Sequence, residues 1–318
     1  MNFLKLIEKF YIRTILNKKN EIMKYKILVP IDFGTQSIIA LNYAKNFAKK
    51  IDAKLLLINI IEGSGILQKF FTPDLEERVA NEANLALKSL AEEYLQGLDY
   101  EYCVRVGKAY EQIQAASDIH KPLMIVMGKT EEQNLKERLL GSNTLHVIQE
   151  TIFPVVSVRG KEVIKDLNNY LFLPLDLSRS VKEQVNVALK FAKIFETKIF
   201  VFTVNVKADI AYKTHLLTEM YKIKDLFNKE GIDCETKIVE GKKSDVFYLI
   251  KEETDKLKPL FTVIMVRDES RLDTWILGSI AHEIIRGIDY PILSVRPWDE
   301  KTEENPIIKL VIDPMNIL

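Results

Sequence analysis

"YKILVPIDFGTQS", residues 25–37, and "NYLFLPLDLSRS", residues 169–180, are two copies of one pattern. In each, an apolar run closes on Pro-x-Asp, and Asp32 matches Asp176 at an offset of 144 residues. The same offset pairs "AKNFAKKIDAKLLLINI" (44–60) with "ALKFAKIFETKIFVFTV" (188–204). Further on, "LLGSNTLHVIQETIFPVVSVR" pairs with "ILGSIAHEIIRGIDYPILSVR", where Gly141 matches Gly278 and Pro154 matches Pro291 at an offset of 137. A unit of about 140 residues is used twice, which is too long for a short-period solenoid.

Each copy alternates between two kinds of segment. Residues 26–31 form a short apolar run, as a buried parallel strand requires. Residues 38–51 put Ile39, Ala40, Ala44, Phe47 and Ala48 on one helical face. "KLLLINII" (54–61) reads as a second strand, 74–96 as a charged amphipathic helix, and 100–106 as a third strand. Residues 109–119 read as a helix, "PLMIVMG" as a fourth strand, 142–150 as a helix and "PVVSVR" as a fifth strand. This alternation predicts an α/β chain of two tandem doubly wound domains, each a five-stranded, mostly parallel sheet flanked by helices. The boundaries expected are 23–160 and 168–297, with an extension at 1–22 and a tail at 298–318.

Composition excludes several classes. Lys and Arg number 45, as do Asp and Glu, so the formal charge is zero and a dedicated nucleic-acid binder is not expected. Two cysteines, Cys103 and Cys234, cannot build a disulfide framework; they fit a reducing cytoplasm and read as small core residues. There is no run of 18 apolar residues, so no membrane span is expected. Residues 1–22 are basic and amphipathic and make a poor signal peptide. They read as a docked helix, as a helix lying on a membrane surface, or as sequence upstream of a start at Met23. His120, His146, His215 and His282 show no metal spacing. No Ser-His-Asp or Cys-His arrangement is legible, so no hydrolase is nominated. "MGKT" imitates the end of a Walker A loop, but Leu123 stands where that loop needs glycine.

In a doubly wound sheet, ligands sit at the carboxyl ends of the strands near the switch in strand order. Here those ends are Asp32 to Thr35, the turn after Ile61, and Gly128 to Ser142. Asp32 has two readings that coexist, an Asx turn or cap for the next helix and a ligand contact. Gly141-Ser142 opens a helix, where backbone N–H groups favour phosphate; a plain helix start is the alternative.

The Pro-x-Asp ends, "IVMG", "LLGS" and "PVVSVR", in this order, resemble a tandem universal stress protein over about 270 residues. The resemblance implies a Rossmann-like fold of the adenine nucleotide alpha hydrolase type. It also implies an internal pseudo-dimer in which strands 154–158 and 291–295 pair. Nucleotide-binding members carry G-x2-G-x9-G-[S/T]. Repeat 1 has Gly128, then Glu131 in place of the second glycine, then Gly141-Ser142; repeat 2 keeps only Gly278-Ser279. The implied contacts to ATP or AMP, in repeat 1 only, are Pro30, Asp32, Ile61, Gly128, Lys129, Gly141, Ser142 and Asn143. Glu131 at about 8 Å from a phosphate charge, with an effective dielectric of about 20, costs roughly 2 kcal/mol. Lys129, Lys136 and Arg138 are available to offset it. Three functions stay open: a non-catalytic, nucleotide-responsive stress protein, a scaffold that binds no nucleotide, and a slow ATPase. A homodimer of the tandem chain and unidentified protein partners stay open as well.

Overall fold

The computed structural model describes residues 24–62, 73–129, 142–160, 163–177, 181–266 and 279–296. In repeat 1 the elements are β1 (Lys26–Pro30), α1 (Thr35–Ile51), β2 (Lys54–Ile61), α2 (Pro73–Tyr94) and β3 (Tyr100–Val106). They continue with α3 (Ala109–His120), β4 (Met124–Gly128), α4 (Ser142–Glu150) and β5 (Val155–Val158). Repeat 2 runs β6 (Asn168–Pro174), α5 (Lys182–Phe195), β7 (Lys198–Asn205), α6 (Ile210–Lys229), β8 (Cys234–Glu240), α7 (Val246–Leu257), β9 (Pro259–Met265), α8 (Ser279–Gly287) and β10 (Ile292–Val295). The three readings of residues 1–22 and the tail lie outside the described residues.

The repetition is visible in the backbone itself. Helices α1 and α5 stop at Asp52 (φ 49°) and Glu196 (φ 51°); α3 and α7 stop at Lys121 (φ 48°) and Lys258 (φ 49°). A left-handed residue ends a helix by returning its N–H to the last turn, and Asp52 N–H does so to the Ala48 carbonyl. Helix α1 starts three residues earlier than its apolar face predicts, because Gly34 in extended conformation supplies the N-cap position.

The ten strands form one sheet in the order β3-β2-β1-β4-β5-β10-β9-β6-β7-β8. Every pairing is parallel except β5 with β10, which is antiparallel and joins the repeats. Its register sets Val156 opposite Leu293, with Ser157 opposite Ile292 and Val155 opposite Ser294. Val156 and Leu293 are themselves equivalent positions, so the pseudo-twofold axis passes between them. The largely apolar, buried strands β4, β5, β9 and β10 occupy the middle, where both faces are covered by helices. The edge strands β3 and β8 carry Glu101 and Arg105, and Glu235 and Lys237, which discourage further pairing.

Both faces of the sheet are cores common to the two repeats. On one face Phe47 of α1 packs at 4.8 Å from the Phe261 ring of β9 and at 6.1 Å from Phe195 of α5. The other face joins Val147 and Ile148 of α4 to Ile284 and Ile285 of α8. Cys234 is buried in the first of these cores, and burial pushes its thiol up to about 12, far from reactivity. Cys103 is half-buried.

Candidate functional site

The strand order switches between β1 and β4, so the crevice above them is the natural ligand position. Three groups frame it. Asp32 lies just past β1, is exposed, and accepts the Gly34 N–H on Oδ1 at 2.8 Å in an Asx turn. Between them, Phe33 is 41% exposed and held at φ 62°. A bulky residue in that region stores strain, which concentrates at functional positions. Its equivalent, Leu177, is buried and does not adopt positive φ.

Helices α1 and α4 both begin at this crevice, so two sets of unbonded N–H groups and two positive dipole ends face it. The third nearby helix is closed to an anion: the Glu62 carboxylate accepts the Ala109 N–H of α3 at 2.7 Å. The floor is braced by Asn59 on β2, buried, whose amide donates to the Ile31 carbonyl at 2.7 Å. Thr203 does the same for Leu175 in repeat 2 at 2.8 Å.

Gly128 closes β4 and joins three elements. A Cβ there would lie 2.4 Å from the Gln36 carbonyl oxygen in the first turn of α1. Its own carbonyl accepts the Thr144 hydroxyl of α4 at 3.1 Å. Gly128 is thus required by close helix approach, independently of any ligand. Gln36 donates to the Gly160 carbonyl at 3.2 Å, while its buried Oε1 has no hydrogen-bond partner among the described residues. In repeat 2 the register puts Met265 where Gly128 stands, opposite Val295 as Gly128 is opposite Val158. That side chain is buried in the core.

Of the eight expected contacts, Pro30, Asp32 and Gly128 come together at the β1–β4 crevice, and Ile61 ends the neighbouring β2. Asn143 is half-buried in the first turn of α4, and Ser142 is the first residue of that helix. Gly141, Glu131, Lys136 and Arg138 lie outside the described residues, as does Gly278. Lys129 departs from expectation. Its side chain is fully buried and its ammonium donates to the carbonyls of Ile285 and Ile288 in repeat 2, at 2.9 and 3.0 Å. A helix C-terminus, rather than phosphate, receives this charge. The sequence reading also missed Asn59 inside the β2 pattern, Glu62 just past it and Gln36 in the first turn of α1, polar residues with little local signal of their partners.

His120 and His282 are both held below the usual histidine range, chiefly by burial. No group of three or more potential metal ligands occurs among the described residues, and no helix among them is long and apolar enough to cross a membrane.

An exposed aspartate at the end of β1, a glycine packed under two converging helix N-termini and a parallel sheet switching between them define a Rossmann-like universal stress fold. Residues 23–159 match the universal stress protein family. Two universal stress proteins of Methanocaldococcus jannaschii are similar to it. One is 27% identical over 158 residues, covering 44% of this chain and 98% of that protein; the other is 29% identical over 163 residues, covering 49% and 95%. The fold is similar to that of a universal stress protein from Archaeoglobus fulgidus, with a TM-score of 0.69 at 18% identity, covering 86% of this chain and 99% of that one.

Proposed function

We propose that the chain is a non-catalytic cytoplasmic stress-response protein with one weak site for ATP or AMP, in repeat 1, and that repeat 2 is its structural partner. On this reading the universal stress domains are 23–160 and 168–297. The observation that carries it is the asymmetry at the strand-four end: Gly128 has no side chain and lets β4 meet the first turn of α1, whereas the matching place in repeat 2 holds the buried side chain of Met265. The match of residues 23–159 to the universal stress protein family supports the ligand class. Pro30, Asp32 and Ile61 would line the nucleoside side. Gly128, Gly141, Ser142 and Asn143 would offer backbone and hydroxyl donors to phosphate.

A second reading has its own support. Helix approach alone explains Gly128, and the Asx turn alone engages Asp32. On that reading the protein is a scaffold acting through its surfaces. The readings separate on denaturing purified protein, assaying released adenine nucleotide, and titrating ATP by calorimetry. Nucleotide or heat at millimolar ATP, abolished by Gly141→Trp, supports the site. Neither signal means the scaffold reading holds.

A further inference from the structure

Lys129 and Val266 occupy equivalent places. The Lys129 N–H donates to the Val158 carbonyl at 2.7 Å, and the Val266 N–H donates to the Val295 carbonyl at 2.7 Å. One repeat therefore carries a buried ammonium where the other carries an isopropyl group. Burying an ammonium costs several kcal/mol unless its surroundings supply opposite charge or dipoles. Here the dipoles belong to the other repeat. Ile285 and Ile288 lie at the C-terminal end of α8, where carbonyls lack helical donors and carry partial negative charge.

Arg159, immediately after β5, adds to the same grip. It donates to the Arg286 carbonyl and lies 3.7 Å from Asp289, with 11% of its side chain exposed. The reverse grip exists through Arg296, which donates to the Glu150 carbonyl at the end of α4 at 2.9 Å. The arginine contacts thus run both ways across the pseudo-twofold, whereas the lysine contact runs one way only. It leaves from the residue beside Gly128, where β4 meets α1 and α4.

We propose that Lys129 is a positioning residue: it fixes the end of β4 against the C-terminus of α8, so that the repeat 1 crevice keeps its shape only while repeat 2 is docked. An apolar side chain at this place packs but does not fix direction, whereas charge-assisted bonds to two carbonyls do. The consequence for ligand binding rests on the nucleotide reading above; the tether itself does not.

The test uses the full chain and Lys129→Val, the residue repeat 2 carries at this place, with Lys129→Met as a second variant if the first fails to fold. Two readouts are taken: backbone hydrogen exchange at Ile288, whose N–H is held by the Ile284 carbonyl at 3.1 Å, and ATP affinity by calorimetry. The expected result is exchange at Ile288 about tenfold faster and ATP affinity about tenfold weaker, a difference of about 1.4 kcal/mol. Unchanged exchange overturns the tether. Faster exchange with unchanged affinity overturns its positioning role. If the unsubstituted chain binds no ATP, the nucleotide reading falls alone, and the exchange result still decides the tether.

Discussion

Gly128 shows how one residue serves packing and a site together. With its would-be Cβ only 2.4 Å from a backbone oxygen, Gly128→Ala forces α1 away from β4. A loss of about 1–3 kcal/mol is expected in denaturant unfolding without ligand. A stability change below about 0.5 kcal/mol would show that the glycine is kept for ligand access instead. Asn59→Ala leaves the Ile31 carbonyl without its buried donor, and about 1–3 kcal/mol is expected to be lost. Histidine makes stability depend on pH. His282 is held below its ordinary 6.5, first by burial and then by Arg286. The unfolded chain therefore binds the proton more readily, and this contribution is complete above pH 6.5. It is lost as pH falls from 6.5 through the lower folded value. His282→Gln should lessen the fall in stability between pH 7 and 5, measured by urea unfolding at both values. An equal fall in the variant would assign the acid sensitivity elsewhere, His120 included.

At the scale of elements, the sequence was most informative where apolar runs were short and punctuated. Pro-x-Asp marked the end of β1, and matched offsets located β6 and β7 from β1 and β2, because a buried parallel strand has little freedom in composition. Helix starts were less legible. The start of α1 came three residues early, since Gly34 caps with its backbone conformation and offers no side-chain signal. The candidate site divided in the same way. Asp32 and Gly128 were readable from position, while Asn59 and Gln36 were not, because a polar residue inside a strand or helix betrays its partner only in three dimensions. Lys129 was misread for a related reason. A lysine beside a glycine-bearing loop looks like a phosphate ligand, and nothing local reveals that the nearest negative end is a helix C-terminus 156 residues away.

For the whole molecule, the deciding feature is that neither face of the sheet is divided between the repeats. Phe47, Phe195 and Phe261 form one aromatic cluster across them, so Phe47→Ala should cost about 3–5 kcal/mol and lower a single transition rather than split it. The same geometry predicts what half of the chain does alone. Cutting after Gly160 uncovers β5, four buried residues, together with the apolar faces that met repeat 2. An unpaired apolar edge seeks a partner, and the native register already supplies one. Val156 faces Leu293, its own equivalent, so a second copy of β5 can replace β10 with Val156 opposite Val156 and no slip. Residues 23–160 should therefore run as a homodimer in sedimentation or light scattering. The lysine contact would then form twice, because the other copy's α4, the equivalent of α8, would present its C-terminal carbonyls to Lys129 from each side of the axis. Val156→Lys in this half, placing like charges opposite each other on the axis, should return it to monomer or leave it insoluble. A stable soluble monomer of the unsubstituted half would show that the antiparallel strand pair is a consequence of tethering rather than its structural cause.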